Sequence, residues 1–219
     1  MRSVEHPDLT TRARIRDAAL TRFPNDGFGA TTIRAVAADA GVSPALVVHH
    51  FGSKERLREA CDQYVVARYR DTKLAAMQEG NVFDPGFAAS AFQMAQPLLR
   101  YFGWALSRNH PAAGDLFDEI VREALEITRI AVEKGMIYDS PDLPRRTSVV
   151  MALNLGMIVM HAHLERNVGV DVLTADGMAE LSPTLFEIFG GMFTPEVRER
   201  IETAYGEEAR GILAARSGI

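Results

Sequence analysis

The 219-residue sequence predicts an all-α protein, on the strength of three observations. Apolar residues recur at helical spacing in segment after segment; within residues 33–40 they fall at i, i+3, i+4 and i+7. A hydroxyl residue followed by proline, a strong signal for a helix start, occurs at residues 43–44, 140–141 and 194–195. No segment shows a convincing alternation of apolar and polar residues, the pattern that is typical of a strand.

The N-terminal part of the chain predicts four helices, of which the first three form a small head. Residues 1–10 are expected to form a loose arm, and residues 24–27 (PNDG) end the helix that follows. Ser53 can cap the fourth helix, which is long enough to join the head to the rest of the chain. The predicted helices begin at Thr10 or Thr11, at Thr31 or Thr32, at Ser43-Pro44 and at Ser53, and the fourth runs to about Gln78.

The second and third helices are short and lie close together in the sequence. Gly41 follows the last apolar position of the second helix, where a left-handed C-terminal cap costs least, and residues 43–44 open the third helix at once. Two helices separated by three or four residues that include a glycine form a helix-turn-helix, whose second helix enters the DNA major groove. The side chains expected to face the small core are Val42, Val47 and Phe51.

The remainder of the chain predicts a larger helical body. Pro97 falls inside its first helix and is expected to kink or split that helix, because proline lacks the N–H of the helical ladder. Gly135 is placed to end the second helix of the body. The predicted helices cover residues 87–108, 110–134, 142–167, 174–189 and 194–214.

About a quarter of the chain, from Thr11 through Leu57, carries a longer set of features in one register. These features are an amphipathic helix ending in Phe23, then Gly27-Phe28-Gly29-Ala30-Thr31-Thr32, Ala37, Ala40-Gly41-Val42-Ser43, His50-Phe51, Ser53-Lys54-Glu55 and Leu57. The set resembles the DNA-binding domain of TetR-family transcriptional regulators. Two positions depart from the family pattern: Ala45 stands where the family often has glycine, and Val48 stands where it usually has a tyrosine that touches the DNA backbone.

This resemblance implies a ligand-responsive regulator built from two domains. The DNA-binding domain is expected at residues 11–71, and an effector-binding and dimerisation domain at residues 72–219. Members of the family are homodimers whose penultimate helices pair as a four-helix bundle. The implied function is that of a repressor, which a small molecule in the body releases from a palindromic operator in double-stranded DNA.

The positions expected to contact DNA lie on the second and third helices and at helix starts. Apolar side chains on the third helix can contact a thymine methyl, while His49 can donate to a base edge or a phosphate. Hydroxyl and lysine side chains near helix starts favour phosphate contacts. The alternatives are a helix-turn-helix used only for packing, and solvated surface charges at Arg34 and Lys54. The candidates are Thr31, Thr32, Arg34, Ser43, Pro44, Ala45, Leu46, Val48, His49 and Lys54.

The distribution of charge gives modest support to a DNA-binding head. The chain carries a net charge of −5, which by itself does not indicate a nucleic-acid partner. Residues 1–60 hold nine Lys and Arg against seven Asp and Glu, and the remaining residues hold 15 against 22. The excess of positive charge in the first segment therefore predicts a small basic face at one end of the molecule.

The body is rich in aromatic residues and methionine, which at helical spacing belong first to a core. The resemblance implies an effector cavity in this region, and flexible methionine and rigid aromatic side chains suit an apolar ligand. A small, mostly apolar effector is therefore expected. The candidate pocket residues are Phe92, Met94, Tyr101, Trp104, Phe117, Met157 and His161.

Residues 149–164 form the longest apolar run, and at 16 residues with Asn154 and two histidines they are too short and too polar to span a membrane. A helix that is apolar all round must be buried all round. Packing against a second subunit would complete that burial. Asn154 and His161, seven residues apart, share a face of this predicted helix, where they could serve either the dimer interface or a ligand pocket.

The sequence offers no catalytic constellation, no metal site and no cofactor motif. His161 and His163 point about 200° apart on a helix, so they cannot bind one ion together. The single cysteine, Cys61, suits a reducing compartment, and no signal peptide is visible, so a cytoplasmic location is expected. An enzyme with an appended helix-turn-helix and a helical protein-interaction module are the rival interpretations.

Overall fold

The computed structural model describes residues 7–79, 85–107 and 111–216, and within them the chain is helical with no strand, as predicted. One isolated antiparallel bridge joins Ile137 to Phe193. The helices are α1 Pro7–Asp26, α2 Ile33–Ala40, α3 Pro44–Phe51, α4 Lys54–Glu79, α5 Pro85–Leu106, α6 Pro111–Glu133, α7 Leu143–Val159, α8 His161–Val168, α9 Ala175–Phe189 and α10 Pro195–Arg216.

The cap residues predicted for α2 and α3 act as such. The hydroxyl of Thr32 accepts a hydrogen bond from the Ala35 N–H at 3.1 Å, and that of Ser43 accepts one from the Leu46 N–H at 3.2 Å. Gly41 adopts a left-handed conformation with φ of 63°, which ends α2 where the sequence predicted. The start of α1 is a correction, because the helix begins at Pro7 rather than at residue 10 or 11, and only residues 1–6 of the expected arm lie outside the described ranges.

The helices of the body follow the predicted order, with one correction. α5 is continuous from Pro85 to Leu106, so Pro97 does not split it. The proline lies on an exposed side of the helix. The helix predicted over residues 142–167 is instead two, α7 and α8, which meet at Met160 with a bend of 71°. Neither proline nor glycine stands at residue 160, so the sequence holds no local signal for this break.

The apolar run on α7 has two different faces. Met151 and Leu155 are buried in the body, whereas Val149 and Leu153 are each 53% exposed in the single chain. Burial all round, as the composition predicted, is therefore not reached within one protomer. Among the described residues no single helix is long and apolar enough to cross a membrane. The α7–α8 pair together has the length and apolar composition of a membrane span, but it is bent by 71°.

Head and body share one hydrophobic core. α5 of the body packs directly on α1 of the head, where the rings of Trp104 and Phe23 stack with centroids 5.7 Å apart and an interplanar angle of 10°. Buried residues from Ile15 on α1 to Leu155 on α7 belong to the same cluster. The division expected between residues 71 and 72 falls inside α4, a single helix that runs through both parts.

Candidate nucleic-acid interface

α3 divides its side chains between the core and solvent. Val47 and Phe51, one turn apart, are buried, as the sequence predicted. On the other side, Ala45, Val48 and His49 occupy one face of the helix, and all three are exposed. Val48 is 49% exposed, a large fraction for an apolar side chain, whereas its neighbour Val47 is fully buried. The outward face of α3 is therefore short, apolar and accessible.

The helix starts beside this face carry hydroxyl groups. Thr32, Ser43 and Pro44 are exposed, whereas Leu46 is half-buried. Thr32 and Ser43 use an oxygen lone pair to accept the capping hydrogen bond. A hydroxyl that accepts one bond keeps its own O–H for donation. These two side chains can therefore cap their helices and donate to a phosphate oxygen at the same time.

Thr31 is a correction to the predicted contact set. Its side chain is only 1% exposed, and its hydroxyl donates to the carbonyl of Gly27 at 2.8 Å. The hydroxyl thereby satisfies a backbone acceptor at the turn between α1 and α2. Thr31 shapes this turn, and its side chain does not lie on the exposed surface.

Lys54 lies at the first position of α4, but its ammonium group is directed into the head. The Nζ atom donates to the carbonyls of Phe28 at 2.7 Å and Thr31 at 2.8 Å, and lies 4.4 Å from the centroid of the Phe28 ring. An ammonium has three donors, so a phosphate contact would use the one that remains. Lys54 therefore ties α4 to the turn before α2, a role that sequence spacing did not indicate.

Two arginines on the neighbouring helices of the head are exposed. Arg34 on α2 is exposed, as predicted. Arg12 on α1 was not among the candidates, yet it is exposed and its guanidinium lies 4.9 Å from the ring centroid of Phe51, at the end of α3. The only sequence feature that could have indicated Arg12 as a DNA contact is its place in a basic, amphipathic first helix.

An ion-pair network links α1 to α2. Arg22 on α1 donates to both carboxylate oxygens of Asp39 on α2, at 2.5 and 2.9 Å, and to Asp26 at 2.7 Å. The hydrogen bonds from Arg22 lower the pKa of Asp39. A bidentate arginine–carboxylate pair has a restricted geometry, so it helps to hold the α2–α3 unit against α1.

The junction between head and body contains a largely buried polar cluster. Tyr101 on α5 donates to Asp62 on α4 at 2.5 Å, and Arg58 donates to the other oxygen of the same carboxylate at 2.9 Å. Burial raises the pKa of Asp62, while the Tyr101 hydrogen bond and the Arg58 charge act in the opposite direction. Burial likewise raises the pKa of the neighbouring Cys61 thiol, which keeps it protonated.

Tyr101 and Trp104, both predicted to line an effector pocket, belong to this junction. Tyr101 is fully buried, and Trp104 lies between it and Phe23, with ring centroids 5.4 and 5.7 Å away. Both side chains are therefore packed between α5 and the head rather than around an open space. They connect the body to the DNA-binding part of the molecule.

The other candidate pocket residues are scattered. Met94 is 70% exposed, which removes it from any enclosed site within one protomer. Phe117 packs against the core, and Phe92, Met157 and His161 are half-buried. The predicted polar seam is also interrupted, because the bend at Met160 separates Asn154 from His161 and the Asn154 amide donates to the Val150 carbonyl in its own helix.

A shallow cavity lies against α5, and its lining differs from the one that was predicted. Its volume is about 250 Å³, and it opens between α5 and the start of α9. None of the seven predicted pocket residues lines it. The lining residues are Gln93, Gln96, Leu173, Thr174, Ala175 and Asp176. In the described part of the chain no three His, Cys, Asp or Glu residues are grouped as metal ligands.

The helical fold and the exposed α3 face define a helix-turn-helix DNA-binding protein. Residues 15–61 match the family model for bacterial regulatory proteins of the tetR family, and residues 93–194 match that for a tetracyclin repressor-like C-terminal domain. The chain is 34% identical over 160 residues to the HTH-type transcriptional regulatory protein RaaS of Mycobacterium tuberculosis, covering 73% of this chain and 75% of RaaS. The chain belongs to the TetR family of transcriptional regulators, whose members are not enzymes.

Further similarities are a shorter match in sequence and two matches in fold. The HTH-type transcriptional regulator BetI of Rhizobium meliloti is 43% identical over 67 residues, which cover 31% of this chain and 33% of BetI. A putative TetR-family transcriptional regulator from Rhodococcus sp. superimposes with a TM-score of 0.62 at 21% identity, over 84% of this chain and 99% of that structure. NalD, the secondary repressor of the MexAB-OprM multidrug efflux pump in Pseudomonas aeruginosa, superimposes with a TM-score of 0.55 at 16% identity. The match covers 87% of this chain and 99% of the NalD structure.

Proposed function

We propose that the protein is a homodimeric, cytoplasmic repressor that binds a palindromic operator and leaves it when a small molecule binds the body. The observation that carries this proposal is the outward face of α3, whose apolar side chains and His49 are accessible. Thr32, Arg34, Ser43 and Arg12 are exposed on or next to the helices of the same head, so they can supply phosphate contacts while α3 contacts bases. Lys54 can add a phosphate contact through its third N–H.

The dimer proposal is supported by the exposed face of α7. Val149 and Leu153 lie one turn apart on α7 and are each 53% exposed, and Met160, at the end of the helix, is 51% exposed. An apolar stripe of this kind on one helix marks an interaction surface. Pairing of two such stripes would set the separation of the two α3 helices. That separation must be about 34–36 Å, one turn of DNA, for both to read a palindrome.

The proposed regulation is a two-state equilibrium between separations of the two heads. A ligand shifts such an equilibrium only by its difference in affinity for the two states. Because Trp104 and Tyr101 of α5 pack on α1 and α4, a displacement of α5 would move the head. The effector is proposed to be a small, mostly apolar molecule that binds between the body helices, next to half-buried residues such as Phe117 and Met157.

DNA binding is tested by electrophoretic mobility shift with the DNA upstream of the protein's own gene, over a range of salt concentrations. We expect a dimer on duplex DNA whose affinity falls steeply with salt, because phosphate contacts release counterions. Equal affinity for single-stranded DNA, or affinity that is constant between low and moderate salt, would contradict the proposal.

The effector is tested by a thermal-shift screen of apolar and polar metabolites, followed by DNA-release assays on the hits. A ligand that binds only the folded protein raises its melting temperature according to its affinity. Apolar hits that also release DNA are expected. If only polar compounds stabilise the protein and release DNA, the apolar proposal is wrong.

A further inference from the structure

The outward face of α3 lacks the side chains that form bidentate hydrogen bonds with bases. Within Pro44–Phe51 there is no arginine, lysine, asparagine, glutamine or carboxylate. The exposed residues are Pro44, Ala45, Val48 and His49, so His49 is the only exposed hydrogen-bonding side chain of this helix. Guanine is most often read by arginine or lysine and adenine by asparagine or glutamine, and α3 offers none of these.

An apolar side chain can recognise one group in the major groove. The C5-methyl of thymine is the only apolar group that the base edges present there. Ala45 and Val48 are three residues apart, so their side chains lie next to each other on the exposed face and can contact neighbouring base pairs. Val48 is 49% exposed and therefore has area to bury on binding, whereas its neighbour Val47 has none.

We propose that Ala45 and Val48 read thymine methyl groups, and that Val48 is the main residue by which α3 selects thymine. This inference rests on the proposed binding of duplex DNA through α3. Each operator half-site then carries thymine opposite Val48. The contact buries apolar surface and neutralises no phosphate, so it contributes specificity without contributing to the dependence of affinity on salt.

The test begins with selection of binding sites from a library of random duplex DNA by the full-length protein. The selected half-site is then resynthesised with deoxyuridine in place of single thymines, which removes the methyl and leaves the pairing edge intact. Burial of one methyl group corresponds to about a fourfold change in affinity, so the key deoxyuridine should weaken wild-type binding about three- to fivefold. Deoxyuridine placed outside the half-site serves as the control.

Two variants separate base readout from backbone contact. Val48→Ala removes the exposed methyls without opening the core, and should bind the thymine and deoxyuridine duplexes with nearly equal affinity and an unchanged salt slope. Arg34→Ala, the matched control on α2, should keep the full preference for thymine. Circular dichroism of both variants verifies that the head remains folded.

The possible results are distinct. Equal binding of thymine and deoxyuridine duplexes by the wild type, or selected half-sites without a common thymine, would overturn the proposed readout while leaving duplex binding intact. Retention of the full thymine preference by Val48→Ala would overturn the assignment to Val48. Failure to select or bind any duplex at low salt would overturn both this inference and the proposed function.

Discussion

At the residue scale, Lys54 joins two parts of the head through hydrogen bonds that no local pattern reveals. Replacing it with alanine removes the donors to the carbonyls of Phe28 and Thr31. Hydrogen bonds to charged groups contribute about 1.5–3 kcal/mol, so Lys54→Ala should lower the free energy of unfolding by about that amount. Urea denaturation measures the loss. Arg56→Ala, an exposed site on the same helical turn, is the control and should change stability little.

Lys54→Ala also tests the proposed contact between Lys54 and a DNA phosphate. If the third N–H of Lys54 reaches the DNA, the slope of affinity against salt should fall by about one unit. Wild-type stability of Lys54→Ala would contradict the structural role. A lowered stability with an unchanged slope would show that Lys54 acts only within the head.

Tyr101 gives a prediction that depends on pH. Its hydroxyl stabilises the charged form of Asp62, whose pKa burial raises above the ordinary 3.8. The folded state therefore holds the Asp62 proton to higher pH than the unfolded chain, and this residue lowers stability as pH rises from about 4 through its raised pKa. Tyr101→Phe raises that pKa further and should cost about 1–2 kcal/mol at neutral pH and less near pH 4.

The measurement for Tyr101→Phe is urea denaturation of wild type and variant at several pH values. Tyr138→Phe, at an exposed site, supplies the control and should show no pH-dependent difference. A cost that is the same at acid and neutral pH would mean that the hydroxyl acts through packing and not through the Asp62 carboxylate.

At the scale of elements, the start of α9 depends on a glycine in close contact with backbone. A Cβ atom at Gly177 would overlap the carbonyl oxygen of Asp171, an atom that already accepts from the Thr174 hydroxyl. Gly177→Ala must therefore displace the loop or the helix, and should destabilise the protein by about 1–3 kcal/mol. The change is measured by thermal or urea unfolding.

A second glycine provides the matched comparison. Gly114 lies exposed within α6, and a Cβ there would meet nothing within 4 Å. Gly114→Ala should stabilise the helix by about 0.5–1 kcal/mol, because alanine loses less backbone entropy on folding. If Gly177→Ala were also stabilising, the close approach of α9 to Asp171 would not exist in solution.

At the scale of the whole molecule, the buried and the exposed face of α7 predict different effects of mutation on folding and on the proposed dimer. Leu155 is 7% exposed and packs in the body, while Leu153 is 53% exposed on the stripe proposed for pairing. Leu155→Asp places a charge in the core and should unfold the chain. Leu153→Asp should remain folded and become monomeric, with weaker binding to a palindrome. A charge at half-buried Met157 should also be poorly tolerated, because it would disturb either the core or the proposed dimer interface.

Circular dichroism and analytical ultracentrifugation distinguish these outcomes. A folded Leu155→Asp variant would contradict the burial of this face. A Leu153→Asp variant that stays dimeric at micromolar concentration would place the dimer interface elsewhere on the molecule. Wild-type protein provides the reference for both measurements.

The predictable part of this protein is encoded in short stretches. The all-α class, the caps Thr32 and Ser43, the left-handed Gly41 and the inward faces of Val47 and Phe51 all follow from spacing and cap chemistry that act within a few residues. The same stretches carry the family resemblance. Most of the outward residues of α3 could therefore be identified from the amino-acid sequence alone.

Only the tertiary structure decided which elements meet. The inward direction of Lys54 and the packing of Trp104 on Phe23 each depend on residues far apart in the chain, and the bend between α7 and α8 has no proline or glycine to predict it. An aromatic residue at helical spacing carries no information about whether it faces a cavity, a core or another domain. That distinction is set by long-range packing, because the same apolar side chain is stabilised by whichever surface removes it from water.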